Sequence, residues 1–90
     1  MRMKTVEGYV LKSLGSQNLL VGMGANVAHS GVLRKMNESA AYLWKAIEGK
    51  DFTEDMLVDL LLEEYEVSRE DAQEAVKDLI KDWMEEKVIE

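Results

Sequence analysis

Val32-Leu33-Arg34-Lys35-Met36-Asn37-Glu38-Ser39-Ala40-Ala41-Tyr42-Leu43-Trp44 is the stretch in which the chain changes character. It reads as a short strand that stops at a helix cap. Asn37 suits that cap, because its side chain accepts the free backbone N–H of Ala40. Glu38 then falls in the first turn, where negative charge complements the helix dipole. Residues before this junction read as β and residues after it as α. The junction sets a strand edge beside a helical half, and that edge is the candidate docking surface for an extended peptide.

Working back from the junction, Tyr9 to Leu14 is rich in β-formers and reads as a strand. Gly15-Ser16 reads as a two-residue hairpin turn, since glycine takes the positive φ such a turn needs. Asn18 to Met23 is the returning strand, Gly24 to Gly31 a glycine-bounded loop, and Val32 to Met36 the third strand. Residues 1–8 read as a ragged start.

Working forward, the first helix runs from about Glu38 to Ile47. Ala40, Leu43, Trp44 and Ile47 share one face at spacings of three and four. Gly49 is a natural C-terminal cap. Thr53 opens the second helix, with Phe52 and Leu57 placed to pack as a hydrophobic staple. Met56, Leu57, Leu60, Leu61 and Tyr65 form its stripe, widened by Val58 and Leu62. Ser68 caps the third helix, and Asp71 three residues on resembles a capping box. Ala72, Val76, Leu79, Ile80, Trp83 and Met84 make its apolar face, and about 18 residues span roughly 27 Å. Val88-Ile89 reads as a last extended piece. The fold class is therefore α+β: a three-stranded N-terminal antiparallel sheet followed by three helices, winged helix-turn-helix-like.

Ninety residues, 47 % of them hydrophobic, suit a single globular domain over residues 1–90. There is no cysteine, so disulfides and thiolate metal sites are excluded, in keeping with a cytoplasmic location. There is no proline. No apolar run approaches the roughly 18–20 residues of a membrane span, and no apolar block follows Met-Arg-Met-Lys as a secretory signal requires. The net charge of −7 is unevenly spread. Residues 1–50 carry seven Lys/Arg against three Asp/Glu, or +4; residues 51–90 carry four against fifteen, or −11. Such asymmetry speaks of partners, not of fold.

No catalytic constellation can be assembled, so the chain reads as a binding module and not an enzyme. His29 is the single histidine and reads as a loop residue before it reads as a general base. Zinc spacing, a Gly-x-Gly-x-x-Gly fingerprint and a phosphate-binding loop are all lacking. Glu63-Glu64 and Glu85-Glu86 read as solvated helix faces before they read as metal or acid–base pairs. Trp44 and Trp83 lie on apolar stripes and read first as core; a partly exposed Trp83 lining a groove is the functional alternative. No cofactor or metal is expected.

Three functions of different class compete. A winged-helix DNA-binding or transcription-regulating protein would present Lys and Arg from its third helix to phosphates. This third helix instead carries Glu70, Asp71, Glu74, Asp78, Asp82, Glu85 and Glu86, which argues against nucleic acid as partner. An acidic carrier protein modified on a serine would show Asp-Ser-Leu at a helix start, whereas the serines here read Glu-Ser-Ala and Val-Ser-Arg. A peptide-binding module would use the sheet edge, with backbone hydrogen bonds for affinity and apolar pockets for specificity. Arg34 and Lys35 on that edge would discourage self-pairing and attract an acidic partner. The open edge also admits a homodimer by pairing between copies.

Met36-Asn37-Glu38-Ser39-Ala40-Ala41-Tyr42-Leu43-Trp44 resembles the Leu-Asn-x-Thr-Ala-x-x-Ile-Trp signature of the PqqD family. Gly49, the Thr-Glu-Asp opening at 53–55, Glu-Glu-Tyr-Glu-Val at 63–67 and the long last helix follow in the family's order, so the resemblance spans roughly residues 7–89. Met36 and Ser39 replace the usual leucine and threonine, and the glycine before Val88-Ile89 is missing. The resemblance implies a peptide chaperone, or recognition element for ribosomally made and modified peptides. Such a protein binds the leader of a precursor peptide and delivers it to a modifying enzyme, a radical S-adenosylmethionine protein in the quinone-cofactor (PQQ) pathway. The family's leader adds as an antiparallel strand to the third strand and lies against the third helix. Carried over, the strand side is Val32, Leu33, Arg34, Lys35 and Met36. From helical spacing, the helix side is Val76, Lys77, Ile80, Lys81, Trp83 and Met84.

Overall fold

A computed structural model describes residues 2–23 and 31–90. In chain order the elements are β1 (Met3–Lys4), β2 (Tyr9–Leu14), β3 (Gln17–Gly22), β4 (Gly31–Met36), α1 (Glu38–Ile47), β5 (Asp51–Phe52), α2 (Glu54–Glu64) and α3 (Arg69–Glu85). β2, β3 and β4 form the expected three-stranded antiparallel sheet, in that order, ahead of the three helices. Leu14 pairs with Gln17, so Gly15-Ser16 is the two-residue turn. Gly15 has φ 62°, a conformation open to a residue without Cβ. The expected loop, with His29, falls on residues 24–30, outside the described residues; Gly31 already belongs to β4.

The helix caps form as their residue types dictate. The Asn37 side chain accepts from the Ala40 N–H at 2.8 Å, Thr53 Oγ1 from Met56 at 3.2 Å and Ser68 Oγ from Asp71 at 3.1 Å. Each such bond satisfies one free N–H of a first turn and contributes about 1 kcal/mol. Gly49 follows α1 at φ 75°. No helix among the described residues is long and apolar enough to cross a membrane.

The core lies between the sheet and the helices. Trp44 and Trp83 are both fully buried and meet edge to face, with ring centroids 5.2 Å apart. Such a contact adds about 0.5–1.5 kcal/mol to the burial of the rings. Leu20, Leu43, Ile47, Phe52, Leu57, Val58 and Val76 complete the packing. Met56 and Met84, expected on apolar stripes, are exposed.

The start of the chain differs from expectation. Residues 3–6 are not ragged but held in place. Met3 pairs with Phe52 and Lys4 with Asp51. The chain's other end closes on the same segment: Lys4 and Glu90 exchange two backbone hydrogen bonds of 2.8 Å, and the Val6 N–H donates to Val88 at 2.9 Å. Met3, Phe52, Val88 and Ile89 are buried in this seam. A two-residue strand is too short to show a period of two, so its partners are set by tertiary packing.

Candidate functional site

β4 is the strand that positions the site. It pairs with β3 on one side, and among the described residues no strand pairs with its other side. The register slips between Leu20 and Val21, a bulge that bends a strand and sharpens its twist. Leu20 pairs with Arg34 and is fully buried, so Arg34 shares the inner face. Met36, two residues on, returns to that face and is buried. Lys35 pairs with Leu19, points the other way and is exposed.

Arg34 crosses from β4 to the end of α3. Its guanidinium lies 3.1 Å from Glu86 Oε1 and 3.9 Å from Asp82 Oδ2. Asp82 and Glu86 are neighbours at i and i+4, a spacing at which like charges repel. They also stand near a helix C-terminus, which favours cations, and α3 has no basic residue in its last turn. The strand supplies the cation that the helix lacks. It does not satisfy the whole carboxylate: Glu86 Oε2 is buried and has no hydrogen-bond partner among the described residues.

At the other end of β4 a hollow of about 410 Å³ opens between the start of α1 and the first half of α3. Leu61, Tyr65, Val67, Ala72 and Ala75 give it an apolar floor, and Asn37, Glu38, Ser39 and Asp71 line it too. Tyr65 meets Tyr42 edge to face at 6.1 Å. Loss of solvation, reinforced by the nearby Glu38 carboxylate, pushes the Tyr65 phenol above its usual pKa of 10.0. From Arg34 to Asn37 a strand advances roughly 10 Å. From Asp82 back to Ala75 a helix covers roughly the same 10 Å. β4 and α3 therefore run past one another in opposite directions, with Arg34 spanning the gap near one end and the hollow lying at the other.

The α3 residues that line this hollow or pair with Arg34 are others than those named from helical spacing. Asp71, Ala75, Asp82 and Glu86 lie on the β4 side. Ile80 instead lines a separate 330 Å³ hollow with Met3, Thr53, Glu54 and Asp55. By the 100° step of the helix Lys77 and Met84 lie within about 60° of Ile80, Lys81 stands between the two flanks, and all three are exposed. Val76 and Trp83 have 0 % exposure and belong to the core, with no surface to offer a ligand. Met36 is likewise core, and Val32 and Leu33 lie on β4. Glu86, expected on a solvated face, is half-buried and paired, whereas Glu63, Glu64 and Glu85 are exposed. No group of three or more His, Cys, Asp or Glu that could hold a metal occurs among the described residues.

Sequence reasoning missed Asp71, Ala75, Asp82 and Glu86. The signal was present: they recur at spacings of four and seven along one face, beside a strand bearing Arg34. The apolar stripe outweighed it.

Comparison with known proteins accords with this architecture. The family model for coenzyme PQQ synthesis protein D (PqqD) matches residues 9–89. A solved structure described as TbiB1 in complex with the TbiA(beta) leader peptide superposes with a TM-score of 0.74 and 17 % identity, covering 97 % of this chain and 94 % of that one. No curated protein matches the chain.

Proposed function

The chain belongs to the PqqD family, and from that membership we propose that it is a non-catalytic peptide chaperone. It binds the leader of a ribosomally made precursor by β-strand addition to β4 and presents it to a modifying enzyme, of the radical S-adenosylmethionine type if the pathway is that of PQQ. The observation that carries this reading is the side of β4 that no strand pairs among the described residues, beside α3. An unpaired strand edge exposes N–H and C=O groups that a guest strand satisfies. About half of the six β4 residues direct those groups outward. Each hydrogen bond contributes a net ~0.5–1.5 kcal/mol. Six such bonds fall short of the cost of ordering a flexible peptide, so side-chain contacts must supply the remainder. The cleft beside α3 and the 410 Å³ hollow are where those contacts form.

The similarly folded TbiB1 was solved with a leader peptide bound, which supports the same class of ligand here. The carboxylates along α3 oppose the nucleic-acid reading, because they repel phosphate. The protein works in the cytoplasm as one domain, and α3 acts as a wall of the peptide cleft. Titration calorimetry with the synthetic leader of its cognate precursor should give a Kd of about 1 μM or tighter, or about −8 kcal/mol. No heat at several hundred micromolar would overturn the proposal.

A further inference from the structure

We infer that the peptide strand taken up beside β4 presents a cationic side chain, lysine or arginine, towards α3, where it shares Asp82 and Glu86 with Arg34. The inference rests on the peptide-binding reading above and adds the charge class of the ligand.

The sequence alone suggested the reverse, an acidic peptide drawn by Arg34 and Lys35. The geometry removes Arg34 from that role. Its guanidinium already faces two carboxylates, at 3.1 and 3.9 Å, so the cluster of Arg34, Asp82 and Glu86 carries a net charge of −1. Arg34 is the only cation within ion-pair distance of either carboxylate among the described residues. One Glu86 oxygen is buried without a donor among the described residues, although Arg34 holds the other. A guest carboxylate placed here would meet excess negative charge at a helix C-terminus. A guest ammonium or guanidinium would be drawn by that same excess of negative charge.

The same polarity continues along the cleft. Asp71 and Glu38 line the hollow at the far end, and Asp78 falls between Asp71 and Asp82 on the same stripe. From Asp71 to Glu86 the helix wall measures roughly 22 Å. Six or seven residues of extended peptide, at about 3.3 Å each, cover that length. Because alternate side chains of the guest face α3, three or four positions see this wall. The one beside Arg34 is the position where charge discriminates most.

Three peptides test the idea, identical except for one helix-facing position that is lysine, glutamine or glutamate. They are derived from the cognate leader and scanned so that each inward position is varied in turn. Fluorescence anisotropy with the full chain should find one position where lysine binds roughly three- to tenfold tighter than glutamine, with glutamate weaker than both, an effect of the size expected for a half-exposed charge pair. The preference should shrink as salt rises. Two variants locate it. Asp82→Asn with Glu86→Gln should abolish the lysine preference. Arg34→Gln, which removes the competing cation, should strengthen the lysine peptide. If Arg34→Gln weakens every peptide and glutamate is preferred, Arg34 recruits acid from the guest and the inference is overturned. Peptides that bind with no charge preference at any position overturn it equally while leaving the peptide-binding reading intact. If none of the peptides binds, that reading itself fails.

Discussion

The molecule contains two small β assemblies that treat their edges in opposite ways. In the first, the segment of β1 lies between β5 and residues 88–90, and the chain's own backbone takes up its hydrogen-bonding groups. In the second, among the described residues, β4 is paired with β3 alone. Both lie against the same core, so burial does not distinguish them; what differs is which backbone completes the sheet. The closed seam fastens the two chain ends to the helices, with the Gly49 N–H donating to Thr5 Oγ1 at 2.8 Å as an extra tie. The other rim is the one proposed to take up a peptide, and Arg34 stretches from it to the neighbouring helix. A closed edge is a stability device, and an open one beside a cleft is a recognition device.

Substitutions should separate the two roles. The largest effect belongs to the seam. Phe52→Ala removes a ring with 1 % exposure and should lower stability by about 3–5 kcal/mol in urea melts, while molecules still folded bind peptide normally. A cost below 1 kcal/mol would mean that the seam is not a fastening. The junction between rim and helices comes next. Asn37→Ala deletes the cap bond to Ala40 and should cost ~1 kcal/mol by the same measurement. The rim's own ion pair should matter least to folding. Glu86→Gln leaves a side chain of the same shape and should cost under about 1 kcal/mol, since both partners are near one-third exposed. A larger loss would make Arg34 a structural strut and blur the contrast drawn here.

A spectroscopic consequence concerns the hollow at the end of the rim. The Tyr65 phenol should ionise later than an ordinary tyrosine, and ultraviolet titration of wild type against Tyr65→Phe should show the missing step above pH 10. The sign follows from proton binding. Above pH 10 the unfolded chain gives up this proton first, so the contribution of Tyr65 to stability is full below that pH and falls as pH rises towards its folded pKa.

Much of the fold was legible because its signals are local. Asn37, Thr53 and Ser68 cap helices through bonds to residues three positions on, and Gly15 and Gly49 sit where a positive φ is needed. Trp44 in the core followed from helical spacing. The seam was not legible, because Met3 meets Phe52 and Lys4 meets Glu90 across most of the chain's length. For the candidate site, the sequence pointed to β4 and α3, and helical spacing pointed to another flank of α3 than the one Arg34 reaches. Ile80 and Met84 extend the apolar stripe to one side, Asp82 and Glu86 to the other. Periodicity gives a face to within a flank, and only the position of β4 decides between the two. Arg34 was taken as free charge for the same reason: its partners lie about fifty residues away in sequence.

Backbone amide hydrogen exchange, with and without the cognate leader peptide, tests the open rim most directly. Strand addition to β4 should slow exchange of the outward-facing amides between residues 31 and 36 by tenfold or more at saturation, while the amides of Lys4, Val6 and Glu90 in the seam stay unchanged. Protection that appears elsewhere, with the 31–36 amides exchanging as fast as in the free protein, would show that the guest does not join this sheet.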